Sequence, residues 1–219
     1  MFAAHGRLAT PAPAPHTAGA MAAQNLSDDS DESLMLSYAQ GKAAAFDALY
    51  ARHRVGVYRY VLRHCGNAPV ADEVFQDVWT NLVRTRATYA PTSRFSAWLY
   101  TLAHNRLVDH WRATGQVDMV SIDGDDAAND AVGALPAARA DEPDERAANR
   151  NIAAHLHAAL AKVPPLQRDA FLLQQESGLS LLEIATLTGV GVETVKSRLR
   201  YAVAKLRSEL GALRELAHR

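Results

Sequence analysis

The stretch that decides the fold is residues 178–210, GLSLLEIATLTGVGVETVKSRLRYAVAKLRSEL, in which two apolar helical patterns are separated by a short break. In the first pattern, Leu181, Ile184 and Ala185 fall on one helical face, and the small Ala185 lets a second helix cross closely. Gly189 marks the break, because glycine readily takes the left-handed conformation found just past a helix end. The second pattern has intervals of four, three and four residues, at Val195, Leu199, Ala202 and Leu206. The stretch therefore predicts a helix-turn-helix.

The opposite face of the second helix is polar and basic. Residues 192–207 contain five Lys or Arg and a single acid, Glu193. A helix-turn-helix places the first turns of its second helix in the major groove, where Lys and Arg reach guanine acceptors and hydroxyls contact bases or phosphates. A solvated basic face would show the same charge, but the small crossing residue, the glycine turn and the basic helix together favour DNA binding. The expected duplex-reading residues are Thr194, Lys196, Ser197, Arg198, Arg200 and Tyr201.

Length and composition limit the classes to which the chain can belong. Its 219 residues allow one large or two small domains, and a hydrophobic content of 48% is enough to fill their cores. The single cysteine, Cys65, excludes an internal disulfide and any multi-cysteine zinc site, and is either a small buried residue or a redox-sensitive thiol. The longest apolar runs, such as residues 97–103, are too short to cross a bilayer. We expect a cytoplasmic protein without membrane insertion.

The N-terminal part changes character at about residue 27. Residues 1–26 are rich in Ala and Pro and are expected to form a disordered tail. Residues 27–113 carry apolar stripes at helical spacing and show no alternating strand pattern. The expected helices begin within the capping sequence SDDSDES at 27–33 and then span about 43–63, 70–84 and 95–112. This half is therefore predicted to be a compact helical bundle.

The last of these helices, FSAWLYTLAHNRLVDHWR at 95–112, combines aromatic and basic residues. Arg94, Asn105 and Arg106 give it a polar side. Aromatic rings beside basic groups suit stacking on unpaired bases, although any one such ring is more often part of the core. Trp98 in particular is expected in the core. The aromatic residues concerned are Phe95, Trp98, Tyr100 and Trp111.

Residues 114–145 have the composition of a flexible linker. Between Asp118 and Glu145, nine acids stand against one base, a net charge of −8 that the overall charge of −1 conceals. Such a segment is either merely solvated or, in imitation of nucleic acid, drawn into a basic channel on a partner. Helical spacing resumes in 146–212. We therefore expect an all-α fold of two small helical domains joined by a flexible acidic linker, with the helix-turn-helix in the second domain.

Four segments together resemble the extracytoplasmic-function class of bacterial RNA polymerase sigma factors, part of the sigma-70 family. They are AFDALYARHRVGVYRYVL, ADEVFQDVW, FSAWLYTLAHNRLVDHWR and VPPLQRDAFLLQQESGLSLLEIATLTGVGVETVKSRLRYAVAKLR. The resemblance implies a region 2 domain at 27–113, which binds core polymerase and recognises and melts the minus-ten element. It also implies a region 4 domain at 146–212, which reads the minus-thirty-five element as duplex.

The resemblance also implies roles for individual residues. The helix ADEVFQDVW resembles the one that binds the clamp of the polymerase largest subunit, which implicates Glu73, Gln76 and Asp77. Asn105 stands where relatives hold a flipped base of the minus-ten element. The expected minus-ten set is Arg94, Phe95, Asn105 and Arg106. Within the duplex-reading set, the positions matched by the resemblance are Lys196, Ser197, Arg200 and Tyr201. The implied partners are core RNA polymerase, through its clamp and flap, promoter DNA and an anti-sigma factor.

Two other classes of function are weighed against this one. A dimeric helix-turn-helix regulator, binding duplex DNA without polymerase, would leave the aromatic and basic fourth helix without a role. A metal-dependent enzyme is not favoured by the nine histidines, because His104 and His110, six residues apart, face different directions on a helix. The sequence shows no nucleophile-and-base arrangement and no glycine-rich phosphate loop. We expect no catalytic residue, metal, cofactor or small-molecule substrate.

Overall fold

The structure, a computed structural model, describes residues 28–115 and 154–217, with side chains described as far as Gly211. The described residues contain helices and no strands, which confirms the all-α prediction. None of their helices is both long enough and apolar enough to cross a membrane. The predicted tail at 1–26 and nearly all of the predicted linker at 114–145 lie outside the described residues.

The first domain is a bundle whose helix ends follow from local chemistry. The Ser30 side chain accepts a hydrogen bond from the Ser33 amide at 3.2 Å and so caps the first helix. Gly66 ends the second helix in the left-handed conformation, with φ at 67°, and donates its N–H to the Leu62 carbonyl. The helices are α1 Asp31–Ala39, α2 Ala43–Cys65, α3 Ala68–Thr85 and α4 Phe95–Ala113, with a 3-10 turn at Arg86–Thr88.

The second domain contains the predicted helix-turn-helix. Its helices are α5 over 154–161, α6 Pro165–Ser177, α7 Leu181–Thr188 and α8 Val192–Ala217. Ser180 and Glu183 form a reciprocal capping box at the start of α7. Gly189 ends α7 with φ at 71°, and the next amide, that of Val190, donates to the Ala185 carbonyl at 3.1 Å. The predicted turn is therefore present as a glycine-capped corner.

The apolar stripe of α8 is buried as its spacing predicted. Val195, Leu199, Ala202 and Leu206 are each no more than 5% exposed, as is Ala185 at the crossing with α7. Full burial of an aliphatic side chain such as valine or leucine stabilises a fold by roughly 1.5–3 kcal/mol. This seam holds α8 against α6 and α7 and leaves its other side to solvent.

The two domains pack against each other. Helices α2 and α4 of the first domain contact α6 of the second, and α4 also contacts α7. The tip of the helix-turn-helix therefore lies beside the helix expected to handle the minus-ten element.

Adding one methyl group at Gly189 tests how much the left-handed conformation there matters to stability. We expect Gly189→Ala to destabilise the second domain by about 1–2 kcal/mol, because a side chain raises the energy of the left-handed conformation. Neither Gly189 nor Gly211 has a neighbouring atom within 4 Å of an added Cβ, and only Gly189 has a positive φ. Gly211→Ala in α8 is thus a matched control that should be neutral or slightly stabilising. Urea denaturation followed by circular dichroism measures the free energy of unfolding of both variants. Equal changes in the two would show that the left-handed conformation at Gly189 does not limit stability.

Cys65 can be tested by its reactivity. It is partly buried at the end of α2, and burial raises the pKa of its thiol to about 11. We therefore expect alkylation by iodoacetamide at pH 8 to be roughly 100-fold slower in the native chain than in urea, because the thiolate is the nucleophile. Equal rates in both states would instead identify a reactive, redox-sensitive thiol.

Candidate nucleic-acid and polymerase interfaces

The outer face of α8 carries polar side chains that are held in place by weak contacts. The Lys196 side chain is 52% exposed, and its Nζ lies 2.7 Å from a carboxylate oxygen of Glu193. Ser197 donates its hydroxyl proton to the Glu193 carbonyl at 2.9 Å. The Arg200 guanidinium carbon lies 5.4 Å from the centre of the Tyr201 ring. The exposed Lys196–Glu193 pair is worth little to stability, so it can be exchanged for contacts with phosphates or bases, whereas Ser197, Arg200 and Tyr201 are half-buried.

Arg198 does not share that face. It is only 8% exposed and lies on the side of α8 that faces the first domain. There it helps to line a cavity of about 590 Å³, together with Asn105 of α4 and Gly189 of the turn. Although Arg198 lies one helical turn from Thr194 and Tyr201, its burial against the first domain leaves it less accessible than Lys196.

On α4, the structure separates the expected minus-ten residues by exposure. Asn105 is exposed, and the Arg94 side chain, just before the helix, is 58% exposed. The Phe95 ring is fully buried, with its centre 5.2 Å from that of His53 and 6.3 Å from that of Tyr89. The Phe95 ring is therefore enclosed by the first domain and does not offer the base-stacking surface that the sequence suggested. The physical reason is that the first turn of α4 faces the bundle rather than solvent.

Of the other aromatic residues of α4, two lie in the core and one is more accessible than expected. Tyr100 and Trp111 are each 2% exposed and belong to the core. Trp98, expected in the core, packs against it from outside and is only partly buried. Of the four rings considered for base stacking, Trp98 therefore keeps the most accessible surface.

The candidate polymerase surface lies on α3. Glu73 and Gln76 are exposed, and Asp77 follows on the same helical face. The Arg106 Nε of α4 donates to Asp77 Oδ2 at 2.7 Å, and its second guanidinium nitrogen contacts the same oxygen. The two side chains are 41% and 39% exposed, so the pair lies at the surface. One ion pair thus joins the candidate polymerase surface to the candidate minus-ten helix.

The most enclosed polar site of the described residues lies between the domains and was not predicted. Asp169 of α6 is 1% exposed and inserts into the first domain. Tyr60 donates its hydroxyl proton to Asp169 at 2.6 Å, and the nearest ring nitrogens of His104 and His64 lie 3.0 and 3.3 Å from the carboxylate. We call this group of four residues the Asp169 socket. A sequence signal was available: the charged pair formed by Arg168 and Asp169 interrupts an apolar stretch of α6.

The Asp169 socket favours the ionised carboxylate. Burial by itself would raise the pKa of Asp169, but its contacts with His104 and His64 outweigh burial and hold that pKa well below its usual range. Burial and the neighbouring carboxylate raise the pKa of Tyr60 well above its ordinary value. Burial lowers the pKa of His64, an effect that Asp169 opposes only in part. Asp169 is therefore an anion at neutral pH, held by a neutral phenol and two imidazoles.

A second contact between the domains centres on Glu176. Its side chain is 5% exposed and lies against Arg59, whose Nε is 2.9 Å from one carboxylate oxygen, and against Arg63. The Glu176 carbonyl also accepts a hydrogen bond from the Tyr100 hydroxyl at 3.1 Å. Gly56 makes this approach possible, because a Cβ there would lie 2.9 Å from the Tyr100 hydroxyl. The sequence did not reveal this glycine, which sits in the middle of an otherwise regular helix.

Within residues 28–115 and 154–217, no three His, Cys, Asp or Glu side chains come together as metal ligands would.

Comparison with known proteins gives two family matches in the expected order. Residues 49–116 match sigma-70 region 2, and residues 154–206 match sigma-70 region 4. Among curated proteins, the RNA polymerase sigma factor CarQ of Myxococcus xanthus is 31% identical over 179 residues, covering 82% of this chain and 97% of CarQ. The ECF RNA polymerase sigma factor SigL of Mycobacterium tuberculosis is 33% identical over 180 residues, covering 80% of this chain and 96% of SigL.

A solved structure extends the similarity to the fold. CnrH, in complex with the cytosolic domain of CnrY, matches with a TM-score of 0.61 and 26% identity, over 84% of this chain and 99% of CnrH. The two family segments, the curated relatives and this fold agree with one another. The chain therefore belongs to the extracytoplasmic-function sigma factors of the sigma-70 family.

Proposed function

We propose that the chain directs promoter-specific transcription initiation in the cytoplasm as a subunit of RNA polymerase. The observation that carries this proposal is the outer face of α8, where Lys196 is exposed above a fully buried seam, in a chain with both sigma-70 regions. Thr194, Ser197, Arg200 and Tyr201 complete the surface that reads the minus-thirty-five element as duplex. Family membership disfavours the dimeric regulator weighed above.

The minus-ten element is read after melting, in our proposal, through Asn105. Opening duplex DNA costs on the order of 1.4 kcal/mol per base step, so a small helical protein cannot melt a promoter unaided. Its contribution is to hold an extruded base, whose capture offsets a few kcal/mol of unstacking. Asn105 is exposed on α4 and offers both a donor and an acceptor to a base edge. Arg106 follows Asn105 on α4, and Arg94 lies at the start of the same helix, about 16 Å away along its axis. Both suit phosphates that flank the element.

Core polymerase supplies the further surface and charge that promoter opening requires. We assign Glu73, Gln76 and Asp77 to the clamp of the largest subunit, since they form one exposed polar face of α3 that DNA would repel. The second domain is assigned to the polymerase flap. Isolated protein should bind promoter DNA weakly, and holoenzyme should bind it tightly with strong salt dependence.

A protein inhibitor is the further partner that we assign to this chain. The structure of CnrH was solved with the cytosolic domain of CnrY bound to it. By analogy, we propose that an anti-sigma factor engages this chain.

The DNA-reading roles are tested by run-off transcription on genomic fragments with core polymerase. We expect Asn105→Ala and Lys196→Ala each to lower transcript yield about tenfold, since one lost base contact costs about 1–3 kcal/mol. Lys205→Ala removes the same charge from the same helix. Lys205 lies nine residues, about 13 Å, beyond Lys196 and outside the first turns that enter the groove, so this variant should stay within twofold of wild type. Unchanged yields for both test variants, or duplex binding and promoter opening without polymerase, would refute the assignment.

The polymerase surface is tested by Asp77→Asn. We expect affinity for core polymerase to fall about tenfold, because a hydrogen bond to a charged group contributes about 1.5–3 kcal/mol. The melting temperature should hardly change, since the Asp77–Arg106 pair is about 40% exposed. Asp47→Asn on the exposed side of α2 is the control and should change neither quantity. Fluorescence anisotropy of labelled protein measures the affinity, and equal losses in both variants would exclude α3 as the contact.

A further inference from the structure

The helix that carries Asn105 begins without a cap of its own. Its N-cap residue, Arg94, makes no capping hydrogen bond with its side chain, because a guanidinium group has no acceptor. The first amides of a helix have no acceptor within the helix and need another partner. The Phe95 amide, the first of α4, donates to Oε1 of Glu32 at 2.6 Å. Glu32 lies 63 residues earlier, in α1, and we call this bond the Glu32 tether.

Glu32 can hold another helix because α1 is itself firmly attached. Two apolar side chains of α1 are fully buried. Asp31, the residue before Glu32, lies 2.6 Å from a guanidinium nitrogen of Arg52 and 2.7 Å from Nε2 of His53, both in α2. The two adjacent acids therefore join α1 to α2 through Asp31 and to α4 through Glu32.

The loop before α4 is fixed at both ends and exposed between them. Tyr89 and Phe95 are buried, with ring centres 6.3 Å apart, and residues 90–94 between them are exposed. Burial raises the pKa of Tyr89 to about 12, and the nearby charges of Glu32 and Asp31 add to that rise. The acidic pair of α1 therefore lies beside this loop as well, and the Glu32 tether fixes the point at which the loop becomes a helix.

That point determines where Arg94 lies relative to Asn105. Near Asn105, the Arg106–Asp77 ion pair attaches α4 to α3. At the start of α4 the attachment is the Glu32 tether. Without it, the first turn would fray, as helix ends do when their amides lack an acceptor. Arg94 would then no longer be held at about 16 Å from Asn105 along the helix axis.

We propose that Glu32 is a positioning residue for minus-ten recognition, because its bond to the first amide of α4 holds Arg94 in register with Asn105. The proposal rests on the proposed function, which assigns Arg94 and Asn105 to the minus-ten element. Glu32 itself touches no DNA and acts only through Arg94. A carboxylate at the positive end of a helix dipole accepts a stronger hydrogen bond than a neutral group does, so the tether can keep the helix start in place.

Three substitutions separate the length of the Glu32 side chain from its charge. Glu32→Ala removes the acceptor. Glu32→Asp keeps the charge but is one methylene too short to bond to the Phe95 amide. Glu32→Gln keeps the length and an oxygen acceptor without the charge. Asp47→Ala, on the exposed side of α2, is the control that removes another acid. If Glu32→Ala impairs folding, the comparison of Glu32→Asp with Glu32→Gln still tests the tether.

The tether is measured in the full chain by hydrogen exchange of the Phe95 amide, resolved by NMR. We expect exchange to be about tenfold faster in Glu32→Ala and Glu32→Asp, because a hydrogen bond to a charged group shifts a local opening equilibrium by about that factor. Glu32→Gln should stay within about threefold of the wild-type rate, and Asp47→Ala should not change it. Unchanged exchange in Glu32→Ala and Glu32→Asp would overturn the tether, whether or not the chain directs transcription.

The positioning role is measured by run-off transcription with core polymerase. We expect Glu32→Ala and Glu32→Asp to lower transcript yield about tenfold, while Glu32→Gln stays within about threefold of wild type. In an Arg94→Ala background, Glu32→Ala should lower the yield by less than about twofold, because two changes that act through one contact are not additive. A merely structural role for Glu32 would lower the yield by the same factor in both backgrounds, and that result would overturn the proposal.

The outcomes also separate this proposal from the proposed function. Normal transcription by Glu32→Ala, together with a lowered yield from Asn105→Ala, would refute the positioning role and leave the proposed function standing. A wild-type chain that supports no transcription would refute the proposed function and the positioning role together, while the exchange of the Phe95 amide would still show whether the tether exists.

Discussion

The arrangement of the two domains depends on the carboxylate of Asp169, which is ionised and almost wholly enclosed. Removing such a group from water costs several kcal/mol on the order-of-magnitude scale for buried ions, and only well-placed partners offset that cost. Tyr60 offers a hydroxyl proton at 2.6 Å, and ring nitrogens of His104 and His64 lie 3.0 and 3.3 Å from the carboxylate. Because these partners lie on α2 and α4, the carboxylate is satisfied only where α6 docks on both helices. An apolar patch would tolerate sliding, whereas this contact selects one register.

The proposed reading surfaces of the same chain are under the opposite constraint. Lys196 and Asn105 are exposed, and Lys196 makes only a surface ion pair. Such a pair adds little to stability, so the fold leaves these side chains available to a ligand. The stability of the second domain comes from the seam beneath Lys196, where Val195, Leu199 and Leu206 are buried. The proposed recognition surface of α8 and its buried seam thus lie on opposite faces of one helix.

Much of the fold could be predicted from the sequence, because the apolar spacing and the capping residues that mark a helix lie close together along the chain. Spacing identified the helices of both domains, and Ser30 and Gly189 marked two helix ends that the structure confirms. The buried Phe95, the inward Arg198 and the Asp169 socket could not be predicted in this way. Each depends on which elements meet in space. Periodicity shows that a helix has two faces, but it does not show which domain covers either of them.

The site residues show the same division. Sequence reasoning placed Lys196 of α8 and Glu73 and Gln76 of α3 at exposed positions, since exposure at helical spacing follows from the buried positions beside them. It did not anticipate the burial of Arg198. It placed Trp98 deeper than the structure does and Phe95 nearer the surface, because an aromatic ring beside a basic group is compatible with core or surface. The contribution of the structure was to show which of these rings the bundle encloses.

Gly56 links the stability of one helix to the contact between the domains. A glycine in the middle of a helix costs roughly 0.5–1 kcal/mol relative to alanine. Here a methyl group would displace the Tyr100 hydroxyl from the Glu176 carbonyl. The weaker helix is therefore offset by the close interdomain approach that the missing methyl group permits. In a chain whose two domains never met, that offset would be absent and alanine would be the more stable residue.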